Sequence, residues 1–140
     1  MERRDYLMDQ INELGLFIAK LLGRLRNMEQ EQEEGDLLLA EAKDALVVQF
    51  GWELEDLLFM DDAAFIGLME ENLLAEDHYE KLAEVFHVLG DHALEHQTLL
   101  RKELYYEKAL CLLKYVDKQS SNYSMMRRDK IVALEVKMKY

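Results

Sequence analysis

Residues 7–28 read LMDQINELGLFIAKLLGRLRNM, and apolar side chains in this stretch recur in alternating steps of four and three. The seven apolar positions are Leu7, Ile11, Leu14, Ile18, Leu21, Leu25 and Met28. Such steps place side chains on one face of an α-helix, so the pattern predicts a long amphipathic helix over residues 4–33. Because this stripe would otherwise be exposed to water, we expect the helix to be integral to a core.

The same stripe also resembles the seam of a two-stranded coiled coil. Heptad position a would hold Ile11, Ile18 and Leu25, a combination with leucine at d that is typical of parallel dimers. Flanking positions, however, hold Phe17 and Leu22 where charged residues are expected. The apolar face is therefore too wide for a dimer seam alone, and it favours a helix within a bundle to which a partner chain could add.

Helical spacing continues through the rest of the chain, which contains no proline, the residue that most often interrupts helices. The pattern predicts helical pairs over residues 36–118 and a last helix over residues 124–138. Residues 52–60 are interpreted as a short helix or turn. Half of the 140 residues are hydrophobic, which is enough for a core without disulfide or metal staples. We therefore expect one all-α domain of five to six helices over residues 1–140.

Glycines and aspartates predict where these helices end and begin. Gly35 and Gly51 are expected as stops, and the pair Gly90-Asp91 is expected to end a later helix. Asp36 is expected to cap the second helix, and either Asp61 or Asp62 is expected to cap the next long helix.

Net charge is −12 and is unevenly distributed. The region Glu29–Glu80 contains seventeen acidic residues and one basic residue, whereas Gln97–Tyr140 contains ten basic and five acidic residues. A negative field repels phosphate backbones and anionic lipids, so neither nucleic acid nor a membrane is expected as a partner.

The charge asymmetry has two interpretations. The acidic region is either a solvated face or a docking surface for a basic partner. That partner would be a foreign protein or peptide, or the C-terminal helix of a second copy, where Arg127, Arg128 and Lys130 form a small basic cluster.

The single cysteine, Cys111, lies in the apolar run 109–113. A lone cysteine forms no internal disulfide, and its neighbours predict a buried, reduced thiol. No apolar run approaches the ~20 residues that a bilayer requires. We therefore expect a cytoplasmic protein, and no motif predicts a cofactor.

Residues His92, Glu95 and His96 form an H-x-x-E-H pattern, the signature of one class of zinc peptidases. Two histidines four residues apart share a helix face and could hold zinc, with Glu95 as the general base. Only 44 residues follow His96, and no third acidic ligand is identifiable. The simpler interpretation is a pair of surface histidines that bind transition metals weakly.

Glu84 and His87 form an E-x-x-H pattern on a predicted helix. Di-iron bundles use two such patterns and two further glutamates, whereas this sequence has only one. A partly buried structural histidine is therefore the favoured interpretation of His87.

Two stretches resemble parts of tetratricopeptide repeats, which are helix pairs of ~34 residues. The matching residues are Gly35-Asp36 with Ala40 and Ala45-Leu46, and Leu82-Ala83, Phe86, Leu89-Gly90-Asp91 with Tyr105-Tyr106-Glu107-Lys108-Ala109-Leu110. Together with Asp5–Ile11 and Leu21-Leu22-Gly23, the chain is similar to small uncharacterised bacterial proteins of tetratricopeptide-like architecture. The resemblance implies a helical-hairpin array and an interaction role, and it implies no catalytic residues.

These observations predict a non-enzymatic protein–protein interaction module. Its expected partner is a protein or peptide. The competing hypothesis is a zinc-dependent hydrolase built on the H-x-x-E-H segment.

Overall fold

Helices form all the regular structure in the part of the chain that the computed structural model describes, which is residues 2–72, 74–93 and 99–139. The predicted all-α class is confirmed for these residues. The helices are α1 (Glu2–Gln30), α2 (Gly35–Phe50), α3 (Leu54–Phe59), α4 (Asp62–Glu71), α5 (Glu76–Asp91), α6 (Leu99–Gln119) and α7 (Met125–Lys139). Of these described helices, none has the length and apolar character needed to cross a bilayer.

The described residues form seven helices, more than the five to six predicted. The additional helix is α3, in the segment interpreted as a short helix or turn. Its leucines Leu54, Leu57 and Leu58 are all buried, and packing against the core holds this short segment helical. An isolated helix of this length would not be stable in water, so the sequence pattern could not distinguish it from a turn.

Two predicted helix boundaries lie where they were expected. Gly51 follows α2 with a φ of 71°, a left-handed conformation that favours glycine. Its N–H donates to the Val47 carbonyl at 2.8 Å. At the start of α4, the Asp61 carboxylate accepts a hydrogen bond from the Ala64 N–H at 2.8 Å, so Asp61 is the cap of that helix.

The predicted boundary at Gly35 and Asp36 is wrong. The second helix begins at Gly35, and the N-cap residue Glu34 makes no side-chain cap hydrogen bond. Gly35 therefore starts α2 instead of stopping α1. A Cβ at this position would lie 2.3 Å from the His92 carbonyl oxygen, so the glycine allows the start of α2 to approach the end of α5.

Helix α5 ends at Asp91, where the Gly90-Asp91 pair was predicted to end it, so Gly90 lies in the last turn of the helix. Gly90 is buried, and a Cβ there would lie 2.6 Å from Cε1 of Tyr106 and 3.2 Å from the Cβ of Tyr105. The missing side chain therefore makes room for a tyrosine of α6.

Gly90→Ala is expected to lower the free energy of unfolding by about 1–2 kcal/mol, because the clash with Tyr106 exceeds the gain in helix propensity. Gly23→Ala is the matched control, since a Cβ there meets nothing within 4 Å. It should instead raise the free energy of unfolding by up to about 1 kcal/mol. Urea denaturation of both variants measures the difference. Equal changes in the free energy of unfolding would show that the contact with Tyr106 does not restrict the size of the side chain at position 90.

The first two helices form an antiparallel pair. Arg24 of α1 contacts Glu41 of α2 at 3.0 Å, and the rings of Phe17 and Phe50 meet edge to face at 5.7 Å between centroids. Arg24, late in α1, thus lies beside Glu41, early in α2. Phe17, earlier in α1, lies beside Phe50 at the end of α2.

The fifth helix lies between α1 and α6. It is antiparallel to α6, because Tyr79 near its start contacts Tyr115 near the end of α6, at 5.1 Å between ring centroids. It runs parallel to α1, because Gly15 approaches His78 near the start of α5, whereas Glu29 near the end of α1 contacts His92 at the end of α5 at 2.8 Å. Helix α7 packs mainly against α6.

The apolar stripe of α1 enters the core only in its second half. Ile18, Leu21 and Leu25 are buried, whereas Ile11 and Leu14 in the first half of the helix are only partly buried. The side chain of Leu7 lies outside the described residues. The first half of the helix therefore leaves apolar surface in contact with solvent.

Candidate functional site

The H-x-x-E-H segment is described only at its beginning. His92 is the C-cap residue of α5, and its Nε2 lies 2.8 Å from Oε2 of Glu29. Glu95 and His96 lie outside the described residues. No group of three or more His, Cys, Asp or Glu that could hold a metal ion occurs in the part of the chain described.

The Glu84–His87 pattern lies in a cleft of about 180 Å³ between α1, α5 and α7. We call this the ionic cleft, and its charged and titratable lining residues are Arg26, Glu29, Glu84, His87, Asp91 and Lys137. One oxygen of Glu84 pairs with Arg26 and the other with Lys130. Burial raises the pKa of Glu84, but its hydrogen bonds to the two cations lower it below its ordinary value overall. Glu84 is thus an ion-pair partner on both oxygens.

A second set of contacts in the ionic cleft involves α7. Lys137 Nζ lies 2.7 Å from Nε2 of His87 and donates to Asp91 at 2.8 Å, and the Tyr106 hydroxyl also donates to Asp91 at 2.6 Å. Burial lowers the pKa of His87, which keeps the ring neutral and able to accept from Lys137. These contacts connect α7 to α5 and α6, which is a structural role.

The basic cluster of α7 is paired within the chain. Arg127 and Arg128 each contact Asp117 at 3.0 Å. Arg127 also contacts Glu80 at 3.2 Å, and Lys130 pairs with Glu84 of the ionic cleft. The cations interpreted from the sequence as possible contacts with a second copy therefore already have acidic partners in the same molecule.

The single cysteine, Cys111, lies about one helical turn after Lys108. Lys108 is buried, which the sequence pattern did not predict. Lys108 is 2% exposed, and its Nζ donates to the Met60 carbonyl at 2.5 Å and lies 5.3 Å from the centroid of the Phe65 ring. Cys111 is partly buried, and this burial raises its pKa to about 12, with a further contribution from Asp62. The thiol is therefore protonated at neutral pH and unreactive.

A different part of the surface is open and combines apolar with acidic and amide side chains. Two neighbouring hollows, of about 290 and 370 Å³, share Ile11 as a lining residue. We call them together the Ile11 trough. The apolar and aromatic walls, contributed by α1, α2, α5, α6 and the segment before α5, are Ile11, Leu14, Phe50, Leu74, Tyr79, Tyr115 and Val116.

The polar groups of the trough are predominantly acidic. Glu13, Glu70, Glu71 and Glu76 line it, and no lysine, arginine, histidine or cysteine occurs among its described lining residues. The Tyr115 hydroxyl donates to Glu70 at 2.9 Å, and this hydrogen bond raises the pKa of Tyr115.

The hydroxyls of the trough remain protonated at neutral pH. Burial raises the pKa of Tyr79 to about 12, and the neighbouring Tyr115 adds to this effect. The partly exposed ring of Tyr115 can therefore pack against a ligand, but neither tyrosine acts as a base.

No family model, curated protein or solved structure matches the chain, so its function is inferred from its own geometry.

Proposed function

We propose that this chain is a non-enzymatic interaction module that binds a protein or peptide in the Ile11 trough. The observation that carries this proposal is the trough itself, a solvent-open surface with apolar walls from several helices. Contiguous apolar surface with a polar rim is typical of protein interaction sites.

We also propose that the helices form a helical-hairpin array of tetratricopeptide-like type, an architecture that suits an interaction role. The pairs α1/α2 and α5/α6 are antiparallel, and α1 lies beside α5 in parallel, as in stacked helical hairpins. The short helices α3 and α4 lie between the two pairs in sequence. Tyr106 follows Gly90 by sixteen residues, a wider spacing than tetratricopeptide repeats have between these two positions. The array we propose is therefore an irregular one.

The chemistry of the trough favours binding over catalysis. Its described lining residues supply carboxylates, amides and protonated tyrosines, and they include neither a nucleophile nor a histidine base. The hydrolase hypothesis depends on Glu95 and His96, and its first residue, His92, already contacts Glu29. Metal analysis of the purified protein separates the two hypotheses.

A cytoplasmic location, inferred from the single cysteine, stays a prediction.

The proposal predicts that a partner crosslinks from inside the trough. A photoreactive residue at Gln49, an exposed position that lines the trough, should capture a partner protein in cell extract. The matched control is a photoreactive residue at Val132 of α7, which is 55% exposed and outside the trough.

The Gln49 crosslink should disappear when Ile11→Gln is added, because the substitution replaces the shared apolar wall by an amide of similar size. A partner captured from Val132 alone, or one still captured from Gln49 in the Ile11→Gln protein, would place the binding surface elsewhere.

A further inference from the structure

We infer that the occupant of the Ile11 trough is a basic amphipathic helix from another protein. This inference rests on the proposed function and specifies the chemistry of the partner. Three observations carry it: the sign of the charge at the rim, the composition of the walls and the pairing of the chain's own cations.

Acidic groups at the rim require a cationic partner. Glu13, Glu71 and Glu76 are exposed lining residues of the trough, and Glu70 is fixed by the hydroxyl of Tyr115. An acidic segment entering the trough would meet like charges from α1, α4 and α5 and no compensating cation among the described lining residues. A segment with lysine or arginine beside its apolar face would pair with these carboxylates at the edge of the interface, where charges favour association and exclude wrong partners.

The walls of the trough favour a helix over an extended strand. They come mainly from the sides of helices, and the described residues contain no sheet edge that could donate and accept backbone hydrogen bonds. An extended segment could pair its backbone only with water and with side-chain amides such as Gln49 and Gln119, whereas a helix satisfies its backbone groups internally. Apolar side chains on one face of a helix could enter both hollows, with Ile11 as the ridge between them.

The basic helix of a second copy is a poor match for this role. Arg127 and Arg128 pair with Asp117, Lys130 pairs with Glu84, and Lys137 pairs with Asp91 within the chain. The trough of a second copy would therefore compete for these cations with the acidic residues of α5 and α6 in their own chain. The occupant is therefore a partner that brings cations of its own.

The test uses two designed peptides of roughly five helical turns, identical in an apolar stripe at i, i+3, i+4 and i+7. One carries lysines beside the stripe and the other carries glutamates. Binding to the full chain is measured by fluorescence anisotropy at low and high salt. The lysine peptide should bind, and its affinity should fall as salt rises, whereas the glutamate peptide should bind at least about tenfold more weakly.

Matched charge variants distinguish the trough from the general attraction of an acidic protein. Glu13→Gln, Glu71→Gln and Glu76→Gln, combined in one protein, should weaken lysine-peptide binding by about tenfold. The control combines Glu31→Gln, Glu33→Gln and Glu34→Gln, which removes the same charge near the end of α1 and should change binding by less than about threefold.

Each outcome decides between the hypotheses. Equal binding of both peptides, lost in Ile11→Gln, would keep the trough as a binding site but overturn the basic partner. Equal weakening by both charge variants would mean non-specific attraction and overturn the inference. If Ile11→Gln leaves peptide binding unchanged, the proposed function of the trough fails as well. Concentration-dependent dimerisation that the lysine peptide reverses would identify a second copy as the occupant and also overturn the inference.

Discussion

Arg127→Ala should lower the free energy of unfolding by about 2–4 kcal/mol. The guanidinium is 5% exposed and contacts Asp117 at 3.0 Å, Glu80 at 3.2 Å and the Asn122 carbonyl at 3.0 Å. Removing it leaves two carboxylates, both partly buried, without their shared cation. The solvent that reaches these carboxylates keeps the expected loss below that of a fully buried pair.

Arg128→Ala is the matched control for this prediction. Arg128 contacts the other oxygen of Asp117 at the same distance of 3.0 Å, but its side chain is 49% exposed. Exposed ion pairs contribute little, so the loss should stay below about 1 kcal/mol. Urea denaturation of both variants measures the difference. Similar losses would mean that burial does not make the ion pairs of Arg127 more stabilising than the exposed ion pair of Arg128.

The same pair of variants predicts a change in acid sensitivity. The hydrogen bond from Arg127 lowers the pKa of Asp117 in the folded state. A carboxyl group with a lowered pKa stabilises the fold above its ordinary pKa, and this contribution is lost as pH falls through the folded value. In Arg127→Ala the pKa of Asp117 should rise towards its ordinary value, which NMR titration of the carboxyl group can follow.

Helices were predictable from this sequence because a period of three to four residues directly reports one buried face. The positions Ile18, Leu21 and Leu25 illustrate this, since all three are buried as their spacing predicted. The same pattern gave no sign that Ile11 and Leu14, two earlier members of the stripe, would be only partly buried. Periodicity identifies the face of a helix, but the length of that face that is covered depends on which other helices pack against it.

Helix ends were less predictable because glycine serves two purposes. Gly51 adopts a left-handed conformation and ends α2, as expected. Gly35 and Gly90 instead allow close approach to His92 and Tyr106, which follow them by 57 and 16 residues. A local pattern cannot distinguish these uses, since the second depends on tertiary neighbours.

The candidate site was only partly visible in the sequence. Ile11 belongs to the apolar stripe, and Glu70 belongs to the acidic region, so both types of surface were anticipated separately. Their meeting with Tyr79 and Tyr115 depends on the pairing of α5 with α6, which no local motif encodes. Conversely, the basic cluster at Arg127 was visible, but its partners within the chain were not.

Ile18→Asp is expected to be the most destabilising of the substitutions considered, with a loss of at least about 4 kcal/mol in the free energy of unfolding. Ile18 is 0% exposed and belongs to the hydrophobic core cluster, so a carboxylate at this position would be buried among apolar side chains. The matched control is Leu16→Asp, two residues earlier on the same helix and 62% exposed, which should cost less than about 1 kcal/mol.

A conservative variant keeps the test measurable if Ile18→Asp does not fold. Ile18→Val removes one buried methylene and should lower the free energy of unfolding by about 1 kcal/mol, because the small cavity that it leaves is only partly filled by relaxation. The corresponding change at the exposed position, Leu16→Val, should be close to neutral. If urea denaturation instead gave Ile18→Asp the stability of the wild type, α1 would not be part of the core. The Ile11 trough would then lose one of its walls, and the binding function proposed for it would have no structural basis.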